Sequence, residues 1–442
     1  MPKTIEHKCK ECGASLLFDS GIQKMLCPYC GTALDVEDTR KDDGDLRPKK
    51  KRSKKTSSKR TDDDIKWSDK ELEYMSEYQC RSCGGDLYTT DTTSATLCPY
   101  CGNAVMLRGR LSGVLKPRDV IPFQISKEQA LNGLDDFIAS KHFVHRDFLD
   151  RHKLEEVKGL YVPFWVFDAD VIGDITFHCV NERVWIEGDY EYTERKHYRA
   201  RRKGCLNFVN VPVDASTKVS EDLMESIEPY DCSMVKSFTT GYLSGFVADK
   251  YDISKETARP RAEQRMFKST ESALESTVHY DEVNISDSDY EVERPHSKYS
   301  LYPVWLISSV WKDDTFIFAM NGQSGKTVGN LPPNWSRLLL TATLIVAAFT
   351  GLFTAFSLSD DGEIFWLLPF TGFIIGACLA GFTVHWYRKE LITVLPNNYA
   401  SDYHYGLDLW EKEDEYLYKK VTRRKINNNN DNNYGGNFNQ GF

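Results

Sequence analysis

The sequence predicts an α+β protein rich in antiparallel sheet, with an apolar helical hairpin near its C-terminus and two small cysteine modules near its N-terminus. Three observations carry this. Two pairs of Cys-x-x-Cys doublets recur early in the chain, long aromatic and β-branched segments fill its middle, and two runs without any charged residue lie near its end. The chain has 442 residues, 56 Lys and Arg against 65 Asp and Glu, and a net charge of -9. With a mean hydropathy of -0.48, these averages exclude an intrinsically disordered chain, a multi-spanning transporter and a globally basic nucleic-acid binder. The length allows roughly three folded units.

The cysteines come first. Cys9-x-x-Cys12 is followed after 14 residues by Cys27-Pro28-Tyr29-Cys30-Gly31, and Cys80-x-x-Cys83 after 14 residues by Cys98-Pro99-Tyr100-Cys101-Gly102. Each cysteine of the second set lies 71 positions after its counterpart, which marks an internal duplication. Two residues between thiolates let one tight turn present both sulfurs to a single ion. Gly13, Gly31, Gly84 and Gly102 follow each pair, where positive φ lets backbone N–H groups point at sulfur. Two such knuckles make a tetrahedral four-thiolate site, and Ser15-Leu16-Leu17-Phe18 and Asp86-Leu87-Tyr88-Thr89 between them open the hairpin of a zinc ribbon. The expectation is two Zn2+ per chain, one held by Cys9, Cys12, Cys27 and Cys30 and one by Cys80, Cys83, Cys98 and Cys101. Four thiolates leave no open coordination position, so both sites are expected to be structural. Disulfides, a redox dithiol and an iron-sulfur cluster fit the doubled pattern less well. Cys179, Cys205, Cys232 and Cys378 have no partner spacing and are expected to be inert thiols.

Residues 338–358 and 364–384 contain no Asp, Glu, Lys or Arg. At 1.5 Å per residue each run is about 30 Å long, the thickness of a bilayer's hydrocarbon layer, and reads as a transmembrane helix. Trp335, Trp366, Trp386 and Tyr387 fall at the ends, where amphipathic rings prefer the headgroup layer. Arg337, Arg388 and Lys389 flank the pair, whereas the connection 359–363 has no basic residue. The positive-inside rule then places both termini in the cytosol and the protein in the inner (cytoplasmic) membrane. Residues 1–26 lack an uncharged apolar core, so no signal peptide is expected. Small residues recur at four-residue intervals, Thr343, Ala347, Gly351 and Ala355 in the first span and Gly372, Gly376 and Ala380 in the second. Such faces close the hairpin on itself or join two copies in a homo-oligomer.

The expected organisation is zinc ribbon 1 over 1–37, a flexible linker over 38–76, zinc ribbon 2 over 77–110, an α+β cytosolic body over 111–334, the hairpin over 335–387, a cytosolic juxtamembrane segment over 388–426 and a disordered Asn/Gly tail over 427–442. Residues 47–60 hold nine basic residues and no acid, so the other 428 residues carry -18. Lys49, Lys50, Lys51, Arg52, Lys54 and Lys55 in this block are candidates to contact anions, either lipid headgroups or nucleic-acid phosphates. A second group, Arg199, Arg201 and Lys203, would share one face of a strand, where pairing with the acidic excess of the body is the alternative.

Within the body, Ser126 and Gln129 form a capping box, and Ala130, Leu131, Leu134, Phe137 and Ile138 a helical face. A second helix is expected over 254–278. Strands are expected over 120–125, 161–180, 184–213 and 301–327 and, beyond the hairpin, over 391–395 and 416–426. Leu160 to Trp165 and Leu301 to Trp305 resemble one another as strand openings, with their aromatics in the core rather than in a ligand groove. The stretch Asn321-Gly322-Gln323-Ser324-Gly325-Lys326-Thr327 is not a phosphate loop, because Met320 stands where the motif needs glycine.

With these features assembled, the chain from Cys80 to Arg424 resembles a bacterial membrane-protein family known as TFIIB-type zinc ribbon-containing proteins, some of which are called primosomal-helicase-like. The resemblance implies an envelope-associated assembly with cytosolic or membrane proteins, flotillin-like and phage-shock-type proteins among them. The helicase name reflects only the Cys-Pro-x-Cys-Gly knuckles. No nucleophile with a base, open metal site or acid-base pair emerges from the sequence, so an enzyme is not expected. The expected function is a membrane-anchored adaptor that binds protein partners at the inner membrane surface; the alternative is a membrane-tethered nucleic-acid binder.

Overall fold

The duplication shapes the start of the fold. In the computed structural model, residues 7–39, 64–72, 75–90, 97–144, 148, 157–311, 314–359 and 367–426 are described. Strands β1 (Leu17–Asp19), β2 (Lys24–Leu26) and β3 (Ala33–Leu34) form a small antiparallel sheet, followed by the helical turn α1 (Val36–Thr39). After a second turn, α2 (Asp69–Leu72), strands β4 (Ser76–Cys80), β5 (Asp86–Thr89) and β6 (Val105–Arg110) surround the second cysteine set, with β4 paired to both of the others. Then come β7 (Asp119–Val120), α3 (Lys127–Ala139), β8 (Lys158–Glu187), β9 (Tyr190–Asp214), α4 (Glu221–Ser226), β10 (Lys236–Ser237), β11 (Val247–Asp249), α5 (Lys255–Glu275), β12 (Glu282–Trp311), β13 (Asp314–Asn321), β14 (Thr327–Gly329), the long apolar helices α6 (Trp335–Ser359) and α7 (Leu367–Leu391), and β15 (His404–Lys425).

The chain divides into two units. The first takes its described residues from Met1–Phe167, Asn210–Glu263 and His296–Asn398. Its main sheet runs β10-β7-β12-β8-β11-β5-β4-β6. Most neighbours are antiparallel, but β11 lies parallel to β8 and β12 parallel to β7. Leu160, Val162, Phe164 and Val166 alternate along β8 and bury one face, where Tyr302, Val304 and Leu306 of β12 meet them. Phe164 stacks on Tyr302 at 4.8 Å. The two similar strand openings thus meet in one core, as expected, and their tryptophans are buried on the opposite face of the sheet. Trp165 donates to the Ile253 carbonyl at 2.9 Å and Trp305 to that of Ile125 at 3.1 Å. The Ser126 capping box forms, with Ala130 and Leu134 buried.

Three expectations need correction in this unit. Ribbon 2 is no separate domain over 77–110: β5 pairs with β11, and Cys80, Leu87, Cys98 and Tyr100 belong to the main core. Nor does a tether extend over 38–76. Residues 64–72 pack on the body, with the Trp67 ring against Tyr88 and Phe238 and Lys116 paired to Glu71 at 2.5 Å. A buried Trp supplies enough apolar area to order such a segment. The basic block, including Lys49, Lys50, Lys51, Arg52, Lys54 and Lys55, lies outside the described residues, as does the 427–442 tail. Finally, 391–395 is not a strand, because α7 runs through Leu391 and no strand follows until β15.

Helices α6 and α7 pack together through the second small-residue stripe. A Cβ added at Gly376 would lie 3.0 Å from the Val346 Cα and 3.1 Å from the Phe349 Cβ, and one at Gly372 2.7 Å from the Phe353 Cβ. The first stripe is not used in this way: around Gly351 there is open space. Both helices are long and apolar enough to cross a membrane, and only 6% and 17% of their most apolar windows are buried.

The second unit takes its described residues from Asp168–Val209, Gln264–Pro295 and Tyr399–Phe442. Here β8 turns at Gly188, whose φ of +59° fits a left-handed turn, and returns as β9. The expected break near residue 182 is therefore continuous strand. β15 pairs antiparallel with β9 from His404 to Lys425, so the expected strand over 416–426 is the end of a longer one. Ile175, Phe177, Cys179, Ala200, Leu274 and Val278 form this unit's core.

Candidate metal centres

All four knuckles share one backbone design. The N–H of Gly13, Gly31, Gly84 and Gly102 donates to the carbonyl of Cys9, Cys27, Cys80 and Cys98 at 2.8, 3.0, 2.9 and 2.9 Å. The glycines sit at φ +75°, +74°, +70° and +69°, the left-handed region that lets the chain close so tightly. The N–H of each leading cysteine in turn donates to the carbonyl of the residue after the glycine, Ala14, Thr32, Gly85 or Asn103. Each doublet is therefore held rigidly, with both thiols on the same side.

The doublets meet in pairs. Cys9 and Cys30 lie 3.5 Å apart at sulfur, as do Cys12 and Cys27, Cys80 and Cys101, and Cys83 and Cys98. Within each set of four, all sulfurs lie within 4.8 Å of one another. A tetrahedron with metal-sulfur bonds of about 2.3 Å has edges of about 3.8 Å, inside this range. Both sets can thus hold a metal ion through four thiolates.

The electrostatics also fit a cation. The N–H groups of Cys12 and Cys30 pull the Cys9 and Cys27 thiols below their ordinary values. Cys12 feels the Ala14 N–H but is pushed up to about 12 because Cys27 and Cys30 crowd it. At the second set, burial raises Cys83 and Cys98. Burial opposes ionisation at Cys101 too, yet the Asn103 side chain and N–H bring it down to about 7. Four sulfurs this close can all ionise only beside a compensating positive charge.

The two copies differ in setting. Ribbon 1 docks on its unit through Phe18, whose ring meets Tyr242 at 5.3 Å and whose N–H donates to the Ser244 carbonyl. Its knuckle tyrosine, Tyr29, is 84% exposed, whereas Tyr100, the equivalent in ribbon 2, is 7% exposed. One sequence difference bears on this contrast. A Cβ at Gly85 would lie 3.0 Å from the Tyr100 ring, and the equivalent position in ribbon 1 is Ala14, so the Tyr100 placement would be crowded in ribbon 1.

The Bacillus subtilis protein YdjG, itself uncharacterised, is 36% identical over 329 residues, which cover 74% of this chain and 90% of YdjG. The chain belongs to the YdjG family. No family model and no solved structure matches it.

Elsewhere in this YdjG-family chain, the other anion-contact candidates are occupied. Arg201 grips Asp174 through two hydrogen bonds of 2.8 and 2.6 Å, which hold that carboxyl below its usual range. Lys203 lies 3.7 Å from the same carboxylate, and Arg199 meets Glu415 at 2.8 Å. Pairing with the acids of the body, the alternative reading, describes all three. Sequence reasoning missed a buried acidic pair beside ribbon 2. Asp249 is fully buried and raised to about 7 by loss of solvent, and Asp214 is likewise raised. Tyr100 interacts electrostatically with both. Nothing in a lone aspartate announces such burial; only the long-range pairing of β11 with β5 produces it.

Proposed function

We propose that this chain is a membrane-anchored adaptor in which two structural zinc ions rigidify the ribbons and protein partners are bound on the cytosolic side of the inner membrane. The observation that carries the reading is the division of labour between the ribbons: one knuckle is built into the core, the other is presented to solvent with Tyr29 at its tip. Aromatic tips of this kind are favoured anchors for protein partners. Zinc suits a closed set of four thiolates, and with every coordination position taken the sites act as scaffolds.

The hairpin supplies the anchor. Leu339, Phe356 and Phe382 are each more than 60% exposed, whereas the core helix of a soluble protein is mostly buried, which supports a bilayer around the pair. Arg337, Arg388 and Lys389 at its ends favour cytosolic termini. The candidate partners are the flotillin-like and phage-shock-type proteins implied by the family resemblance.

The test is co-purification from membranes in detergent, with and without nuclease treatment, for the native chain and Tyr29→Ala. Stoichiometric protein partners retained by the native chain and lost by the variant would support the adaptor. Co-purified nucleic acid, released steeply by salt and lost when Lys49, Lys50, Lys51, Arg52, Lys54 and Lys55 are neutralised, would replace it with the nucleic-acid reading.

A further inference from the structure

The cytosolic end of α7 carries a feature that neither ribbons nor anchoring explain. Thr383, Trp386, Tyr387 and Glu390 are spaced i, i+3, i+4 and i+7, so they share one helix face. Together with His142, beyond the end of α3, they line an open cleft of about 310 Å3, a small-ligand volume. The side chain of Glu390 is 27% exposed, and its nearest basic neighbour, His142, lies 3.9 Å away, beyond hydrogen-bond range. Among the described residues no hydrogen bond reaches the Glu390 carboxylate. The Tyr387 ring is steadied by Phe143 at 4.3 Å, and Trp386 is 60% exposed. Arg388 is turned elsewhere, over the Trp335 ring at 5.6 Å.

Depth narrows the occupant. The charge-free run ends at residue 384, so a hairpin seated in a bilayer puts residues 386–390 in the headgroup layer. Basic residues are expected there and meet anionic lipid. A carboxylate facing a cleft with aromatic walls suits the opposite charge, since ring faces and a carboxylate both attract an ammonium. The Glu390 oxygens can accept hydrogen bonds from a primary ammonium, which a quaternary one cannot donate.

We propose that this cleft binds the headgroup of a lipid bearing a primary ammonium, phosphatidylethanolamine being the probe, with Glu390 as counter-ion and Trp386 and Tyr387 as walls. The proposal rests on the membrane reading of the hairpin, so two measurements separate their failures. Flotation of the full-length protein with phosphatidylcholine vesicles tests insertion; a chain that stays in the soluble fraction overturns the membrane reading itself. Native mass spectrometry of the detergent-solubilised protein with equimolar phosphatidylethanolamine, phosphatidylcholine and phosphatidylglycerol tests the cleft. The expected result is about a tenfold preference for phosphatidylethanolamine over phosphatidylcholine, the scale of one charge-assisted hydrogen bond that choline cannot donate. Glu390→Gln should remove it, and Trp386→Leu should lower retention of both ammonium lipids. Equal retention of the three lipids, a preference for phosphatidylglycerol, or a preference that survives Glu390→Gln would overturn the proposal. Displacement by equimolar glycerophosphoethanolamine would assign the cleft to a soluble amine and overturn the lipid assignment.

Discussion

Gly85→Ala tests whether one methyl group separates the two ribbons. Gly85 has no left-handed backbone requirement, so the substitution acts through space alone. The new Cβ would stand 3.0 and 3.2 Å from the Cδ2 and Cε2 atoms of Tyr100 and 3.6 Å from the Cys83 sulfur. Tyr100 lies in the main core and cannot shift freely. Overpacking at such a site costs about 1–3 kcal/mol. If the strain is relieved when ribbon 2 opens, metal retention there weakens by about 5- to 150-fold. The assay is competition with a chromophoric chelator on the solubilised full-length protein, read as two release phases. The slower phase, from ribbon 2, should accelerate while the ribbon 1 phase stays unchanged, and Ala14→Gly should alter neither by more than a small factor. Unchanged release from ribbon 2 would refute the reasoning.

Further outcomes follow from the same geometry. Gly376→Leu should separate α6 from α7, because a Cβ there meets the Val346 backbone at 3.0 Å, whereas Gly351→Leu faces open space and should be tolerated; thermal aggregation in detergent would distinguish them, and equal effects would contradict the packing. Burial raises Asp249 from 3.8 to about 7, so the folded state holds its proton more tightly than the unfolded state. Stability should therefore fall as pH rises from about 4 to 7 and level off above, by an amount on the order of 4 kcal/mol. Asp249→Asn should reduce that slope, leaving the part due to Asp214, and be the more stable form at pH 8, as chemical denaturation at pH 5 and pH 8 would show; an unchanged slope would place the titration elsewhere. Arg202 is 1% exposed and bonded to Asp414 at 2.7 Å. The Asp414 side chain is 37% exposed, so the buried member is the guanidinium; Asp414→Ala leaves it without its counter-charge and should cost about 3–5 kcal/mol in denaturant unfolding, whereas loss of an exposed pair would cost less than about 1 kcal/mol.

What the sequence made legible was local. Cysteine spacing and the glycines after it foretold four knuckles because each is closed by its own five-residue turn. The Ser126 capping box and the aromatic strand openings are equally short-range. Less legible was anything built by pairing across the chain. The incorporation of ribbon 2 into the sheet depends on β11 meeting β5 some 160 positions away, and no periodicity within either segment encodes that meeting. Trp67 was visible as an exception in a polar stretch, but the rings that receive it, Tyr88 and Phe238, are remote in sequence. The contrast between Tyr29 and Tyr100 was present as Ala14 against Gly85, yet a methyl group means nothing until a ring is seen beside it. The cations Arg199, Arg201 and Lys203 shared a face as alternation required, while their partners Asp174 and Glu415 came from other strands.

The claim on which the rest depends is that both thiolate sets hold structural zinc in the folded, membrane-derived protein. Elemental analysis of the full-length chain extracted from membranes and purified in detergent tests it most directly. Two zinc ions per chain are predicted, falling to one when Cys9 and Cys12 are both replaced by serine. One or no zinc in the native protein, or iron in its place, would contradict the account.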